Sequence, residues 1–198
     1  MGWASRGTYG AAAAGAVAAT GYLGLVTGAV PVDLGIGRRT RPLGPLAVDI
    51  DAPRDVVFAV LSEPYLGRQT RAVAEKVQVL QRGSDMVLAA HRTPVRGRLV
   101  ATTVETVRFT PPGHIDFFLT RGPVPHVSER FSLEPLAASG HGEATRLGYT
   151  GEMGADLWSV GARWADLVAA PWERAVAATF AAVKIEAEHR SKARSTTA

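Results

Sequence analysis

The hydrophobic pattern of the chain changes twice. Tyr9 to Val32 is a run of 24 residues without a charge. Between Leu46 and Gly154, short stretches alternate apolar and polar positions, the period of half-buried strands. From Asp156 onward the apolar residues Leu157, Val160, Trp164, Leu167, Val168, Trp172, Val176, Phe180 and Val183 recur every three or four positions. That spacing predicts one face of a long helix. Pro171 lies inside it, and a proline there removes a hydrogen bond and crowds the preceding turn, so a kink or division is expected.

The middle of the chain resolves further. VDIDAPRDVVFAVLSEP (48–64) predicts a strand over Leu46–Asp51, a joint at Ala52-Pro53 and a helix over Pro53–Leu61. Proline suits a first helical turn. A second short helical turn is expected over Glu63–Arg68. Arg82-Gly83-Ser84-Asp85 then reads as a hairpin turn and Pro111-Pro112-Gly113 as a second turn. Two further strands flank a loop at 138–143. The order is strand, one or two short helices, six strands, long helix, which indicates α+β.

Alternation also assigns faces. Ile115, Phe117 and Leu119 share one face of their strand; Val127, Glu129, Phe131 and Leu133 share another; Leu147 and Tyr149 a third. Met86, Leu88 and Ala90 mark an inward face that would include Arg92 and place His91 opposite. A register error of one residue would reverse any of these.

The N-terminal run is long enough to cross a bilayer, which takes roughly 20 apolar residues. Three readings fit it: a retained transmembrane anchor, a cleaved signal peptide, or a buried or peripheral segment. Signal peptides carry a shorter apolar core behind a basic start, and only Arg6 precedes this run while GRRTRP follows at 37–42. The anchor is therefore the expectation. It implies a tail at 1–8, an anchor at 9–32, a basic juxtamembrane linker at 33–44, a domain at 45–190 and a basic tail at 191–198. Arg38, Arg39 and Arg41 lean the domain toward the cytoplasm as a single-pass protein, with secretion after cleavage the alternative. Small residues at Ala12, Ala16, Thr20, Gly24 and Gly28 form a four-residue ridge of the kind that lets helices pack closely. It offers a contact for a homodimer or a membrane-protein partner, although an Ala/Gly-rich segment produces such a ridge by chance.

Charge narrows the function classes. Residues 1–42 hold four arginines and one aspartate, while 43–198 hold 18 basic and 17 acidic side chains. The high isoelectric point thus comes from the N-terminal end, and the domain lacks the basic face that nucleic acid requires. With no cysteine, disulfides, thiolate metal sites and Cys nucleophiles are excluded. His91, His114, His126, His141 and His189 have no metal-ligand spacing. There is no Gly-x-Ser-x-Gly elbow and no P-loop, and no cofactor is implied.

IDAPRDVVFAVLSEP resembles the opening of the START/Bet v 1-like (SRPBCC) superfamily, especially its polyketide cyclase/dehydrase-like branch. There a strand ends in an Ala-Pro joint and a helix with an acidic residue and Val-Phe follows; here these are Ala52-Pro53, Asp55 and Val57-Phe58. AAVKIEAEHR (181–190) is similar to the family's helix ending. The resemblance spans about residues 45–190. It implies a helix-grip fold, a curved seven-stranded antiparallel sheet wrapped on the C-terminal helix, enclosing a cavity for apolar ligands.

Within that frame Glu129 is the oddest residue, a carboxylate on an apolar strand face. Burial would raise its pKa and make it an acid/base or ligand anchor; at the sheet edge, paired with an arginine, it would do no chemistry. Tyr149 is the second weak candidate, with ordinary core packing as its bland reading. His126, after Gly122-Pro123-Val124-Pro125, is the third, at a cavity mouth or merely solvated. Leu88, Phe117, Leu119, Glu129, Phe131, Tyr149 and Trp164 are expected to line the cavity. Trp158 is expected at its entrance or against lipid. The leading reading is membrane-anchored binding or transfer of a hydrophobic small molecule or lipid. A polyketide cyclase or dehydratase, and a non-enzymatic subunit of a membrane complex, are the alternatives.

Overall fold

The computed structural model describes residues 19–67, 75–96, 99–139 and 142–197. β1 (Arg39–Ile50) leads through Ala52-Pro53 into a short helix (Arg54–Leu66). Six strands follow: β2 (Val77–Arg82), β3 (Met86–Arg96), β4 (Leu99–Thr110), β5 (His114–Arg121), β6 (His126–Ser139) and β7 (Gly142–Ala155). A long helix (Trp158–Thr197) closes the chain. The sheet order is β1-β7-β6-β5-β4-β3-β2, antiparallel throughout, so β2 to β7 meander and β1 returns to the free edge of β7. This is the expected α+β arrangement.

The long helix lies across β1 and β7. Its Ala165, Ala169, Val176, Phe180, Val183 and Ala187 are buried against Ile115, Phe117, Phe131, Leu147, Tyr149 and Met153 of the sheet. The helix is not divided at Pro171, and it continues to Thr197 through the residues expected to form a tail. In its first half the buried row is made of alanines, while Leu157, Val160 and Leu167 are exposed. Large side chains suggest the wrong stripe there, because the close approach of helix to sheet leaves room only for small ones.

Two strand assignments shift. β1 starts at Arg39, not Leu46, even though Pro42, Gly44 and Pro45 argue against a strand. β1 is an edge strand, where proline is tolerated. A register shift between Leu43 and Leu46 accommodates the pair, with Gly44 at φ +76 and no space for a Cβ beside the Tyr149 carbonyl. In β3 the inward residues are Val87, Ala89 and His91, the reverse of the expected face. Both faces of β3 are apolar, so alternation alone could not choose between them. Arg92 points outward and donates to Gln78.

The described part of the N-terminal run, residues 19–32, is not one continuous helix. Residues 19–26 are helical, then Thr27 to Val30 turn out of the helix, Gly28 at φ +68. The turn docks on the sheet: the Thr102 N–H donates to the Thr27 carbonyl and the Arg121 guanidinium to the carbonyls of Gly28 and Ala29. Among the described residues no helix is long and apolar enough to cross a membrane; residues 1–18, including Ala12 and Ala16, lie outside them. Two of the arginines expected in a basic linker are engaged by acids of the linker and the domain. Arg38 pairs with Asp33 and Asp156, and Arg41 with Asp166.

The small-residue ridge has an internal use. A Cβ on Gly28 would sit 2.4 Å from the Thr102 carbonyl oxygen, and one on Gly24 would sit 2.9 Å from the Val30 side chain. Both glycines serve the turn that ends this helix and seats it on β4.

Candidate functional site

The concave face carries two buried carboxylates. Glu129 stands near the start of β6, between Val127 and Phe131, and is 7% exposed. Its Oε1 accepts from the Tyr149 hydroxyl on β7 at 2.5 Å and from Trp172 Nε1 on the long helix at 2.6 Å. Strand alternation puts Glu129 and Tyr149 on one face of adjacent strands, and the helix lowers Trp172 onto them. Burial, then the charge of Glu105, pushes the Glu129 carboxyl up to about 7, against its two donors and His91. Burial, then Glu129, also drives the Tyr149 phenol well above its usual range, so it donates and does not ionise.

Glu105, on β4, is 5% exposed. Its Oε2 meets His91 Nδ1 of β3 at 3.0 Å, and Thr103 donates to its Oε1 at 2.7 Å. His91 Nε2 lies 3.0 Å from the hydroxyl of Tyr65, at the end of the short helix. A carboxylate only accepts, so Nδ1 carries a proton, leaving Nε2 to exchange with Tyr65. Burial opposes ionisation of Glu105, but His91 and Thr103 more than offset it and hold the carboxyl below its usual range. Burial likewise opposes charge on His91, and Glu105 raises its pKa in net. The Tyr65 phenol is pushed up by burial, then by Glu105 and Glu129.

Aromatic rings join the two groups. Tyr65 and His91 both contact Phe117, Phe117 contacts Phe131 at 4.8 Å, and Phe131 contacts Tyr149 and Phe180 edge-on at 5.7 and 5.3 Å. Every buried side-chain polar atom among the described residues has a hydrogen-bond partner. The interior thus sets two buried carboxyl groups and a histidine beside a cluster of tilted and edge-on aromatic rings.

Of the expected site residues, Phe117, Leu119, Glu129, Phe131 and Tyr149 lie on this concave face. Leu88 does not: it lies on the outer face and lines a depression of about 270 Å³ with Met86 and Thr106. His126 also faces outward, pairing with Glu152 at 2.8 Å and packing edge-on against exposed Phe118. Trp164 is half-buried toward one end, donating to the Pro123 carbonyl and meeting Tyr22 edge-on. Glu105, His91 and Tyr65 escape the sequence reading as site residues, and Trp172 enters it only as part of the apolar stripe of the long helix, as core or cavity wall. The signal for Glu105 is nevertheless present, a carboxylate in the apolar row Ala101, Val107, Phe109.

No family model matches the chain, and no curated protein matches its sequence. Solved structures do. The Zhui aromatase/cyclase from Streptomyces sp. R1128 superposes with a TM-score of 0.62 at 22% identity, covering 77% of this chain and 96% of that one. The chain has the helix-grip fold. A protein from Thermus thermophilus gives 0.54 at 15% identity over 76% of this chain and 99% of the other. Norcoclaurine synthase from Thalictrum flavum, solved with dopamine and hydroxybenzaldehyde, gives 0.52 at 12%, over 75% and 86%. At these identities the likeness is one of fold.

Proposed function

We propose that the helix-grip interior binds an apolar, ring-containing small molecule and that Glu129 is its acidic anchor. The observation that carries this is the Glu129 carboxyl, buried on an aromatic face with two neutral donors on one oxygen and no cation in contact, an environment that pushes it up to about 7. A carboxylate in that position costs stability at neutral pH, whereas an apolar residue there would not. The interior uses a group that exists both neutral and charged near pH 7, able to donate to a ligand carbonyl or accept from a ligand hydroxyl. Phe117, Phe131 and Phe180 supply the apolar wall. The fold shared with the aromatase/cyclase and with norcoclaurine synthase supports a ring-containing ligand.

The test is native mass spectrometry of the gently purified full chain, with organic extraction of what is bound. A discrete aromatic or polyketide-like compound, lost in Glu129→Gln with the fold intact, is the expected result. An empty wild-type protein that also fails to take up such compounds would overturn the reading.

A second reading, proton-transfer catalysis of the cyclase or dehydratase type, is favoured by the second buried pair. Glu129 would exchange the proton in the first instance, with His91 and Glu105 holding charge nearby. Turnover with a bell-shaped pH profile, abolished in Glu129→Gln, would separate catalysis from binding.

A further inference from the structure

Apolar side chains are left exposed mainly at one end of the molecule. Of fourteen large hydrophobic residues exposed among the described residues, nine fall in 22–36 or 157–167. The two segments are zipped together. The N–H groups of Leu34 and Gly35 donate to Asp156, that of Leu157 to the Ile36 carbonyl and that of Trp158 to the Gly37 carbonyl. Arg38 completes the clasp on Asp156, whose carboxyl it holds down at about 2.

At this junction Leu157 and Trp158 adopt φ of 70 and 50, the left-handed region that disfavours side-chain-bearing residues. The strain does not bury them: Trp158 is 55% exposed and neighbouring Val160 69%. One face of the Trp158 ring lies on Gly37, where a Cβ would come within 2.4 Å of it. A strained joint that holds a tryptophan outward beside Leu34, Ile36 and Val160 points to a surface that something covers.

We propose that this end docks on the surface of a lipid bilayer. Tryptophan and aliphatic side chains partition to the interface between headgroups and acyl chains. Charge agrees: Asp33, Asp156 and Asp166 are all taken by Arg38 and Arg41, whereas Arg39 and Arg163 are exposed with no ion pair among the described residues. Among the described residues, this end therefore adds two unpaired cations for anionic headgroups to acids that are already paired. The preceding eighteen residues, whose one charged side chain is Arg6, enter the fold at the same place through the helix at 19–26. Eleven of these eighteen are Ala or Gly, poor fillers for a patch of Trp, Leu, Ile and Val, and their two aromatic residues, Trp3 and Tyr9, are themselves of the interfacial type. This docking is peripheral and independent of what the interior binds.

The test is co-sedimentation of the full chain with phosphatidylcholine vesicles, with and without phosphatidylglycerol. The double variant Trp158→Ser/Val160→Ser is compared with Leu80→Ser, which removes an exposed leucine on β2, away from this end. Wild type and Leu80→Ser should bind, more tightly with the anionic lipid, and the double variant should bind about tenfold more weakly or worse, with unchanged circular dichroism. Equal binding by all three proteins would overturn the proposal and assign lipid affinity to residues 1–18. A wild-type dimer in the absence of vesicles that the double variant converts to monomer would overturn it in favour of a second copy.

Discussion

Glu105 and Glu129 invite comparison because so much about them is alike. Both are glutamates on central strands, both face the long helix's side of the sheet, and both are almost fully buried. Yet the Glu105 carboxyl is held below its usual range and the Glu129 carboxyl is pushed up to about 7. Partners make the difference. Glu105 faces an imidazole that shares its proton equilibrium, and Thr103 takes its second oxygen. Glu129 has two neutral donors on one oxygen and no cation in contact, while Glu105 itself adds a repelling charge. Burial is thus compatible with charge only where a counter-charge stands. The first carboxylate is built into the fold; the second is held there against the fold's interest.

The largest expected effect breaks the first group. Glu105→Ala leaves His91 Nδ1 buried without its carboxylate and should cost about 3–5 kcal/mol, a fall of roughly 10 °C or more in Tm for a chain of this size. Urea unfolding at pH 6 measures it. The pH limits follow from the directions of shift. The lowered Glu105 pKa gives stability that is present above the ordinary 4.5 and lost as pH falls through the folded value. The raised His91 pKa gives stability that is full below 6.5 and lost as pH rises through its folded value. The cost of Glu105→Ala should accordingly be greatest between these limits.

Glu129→Gln should do the opposite. A carboxyl raised from 4.5 to about 7 binds more protons folded than unfolded, so its cost is absent below pH 4.5 and grows to completion above pH 7. Glutamine keeps an oxygen for Tyr149 and Trp172 and removes the charge. The variant should match wild type near pH 4 and exceed it by about 3 kcal/mol at pH 8. Denaturation series at the two pH values give the difference directly.

Trp172→Phe sharpens the contrast. Hydrogen bonds to charged groups are worth about 1.5–3 kcal/mol, more than neutral ones, so the loss should be larger at pH 8, where Glu129 is ionised, than at pH 5. The smallest effect is expected from Tyr65→Phe, about 1 kcal/mol for one hydrogen bond to His91. If Tyr65→Phe instead changes the pH dependence of Glu129 strongly, the two groups are one network and the contrast fails.

The sequence makes the first carboxylate hard to see and the second easy. Glu129 sits in Val-x-Glu-x-Phe-x-Leu, where period-two alternation leaves one choice of face. Tyr149 and Phe131 follow from the same rule, whereas the turns at 82–85 and 111–113 are legible from their glycines and prolines. Glu105 has comparable alternation, but its partner His91 lies on β3, whose two faces are equally apolar. Choosing the face with Met86 and Leu88 turns His91 outward and hides the pair. Trp172 is visible as a helix position, but its register against β6 depends on how closely Ala165 and Ala169 let the helix approach. The docking of Thr27, Gly28 and Arg38 rests on Thr102, Arg121 and Asp156, contacts between positions far apart in sequence that no local pattern reports.

The most direct test is the titration of Glu129 itself, followed by carboxyl carbon NMR of labelled full-length protein, with Glu129→Gln to assign the signal. The account requires a midpoint near pH 7, while the Glu105 signal stays that of a carboxylate down to below pH 4.5. A Glu129 midpoint at or below 4.5 would mean an ordinary ionised core residue, and the anchor role in the interior would go with it.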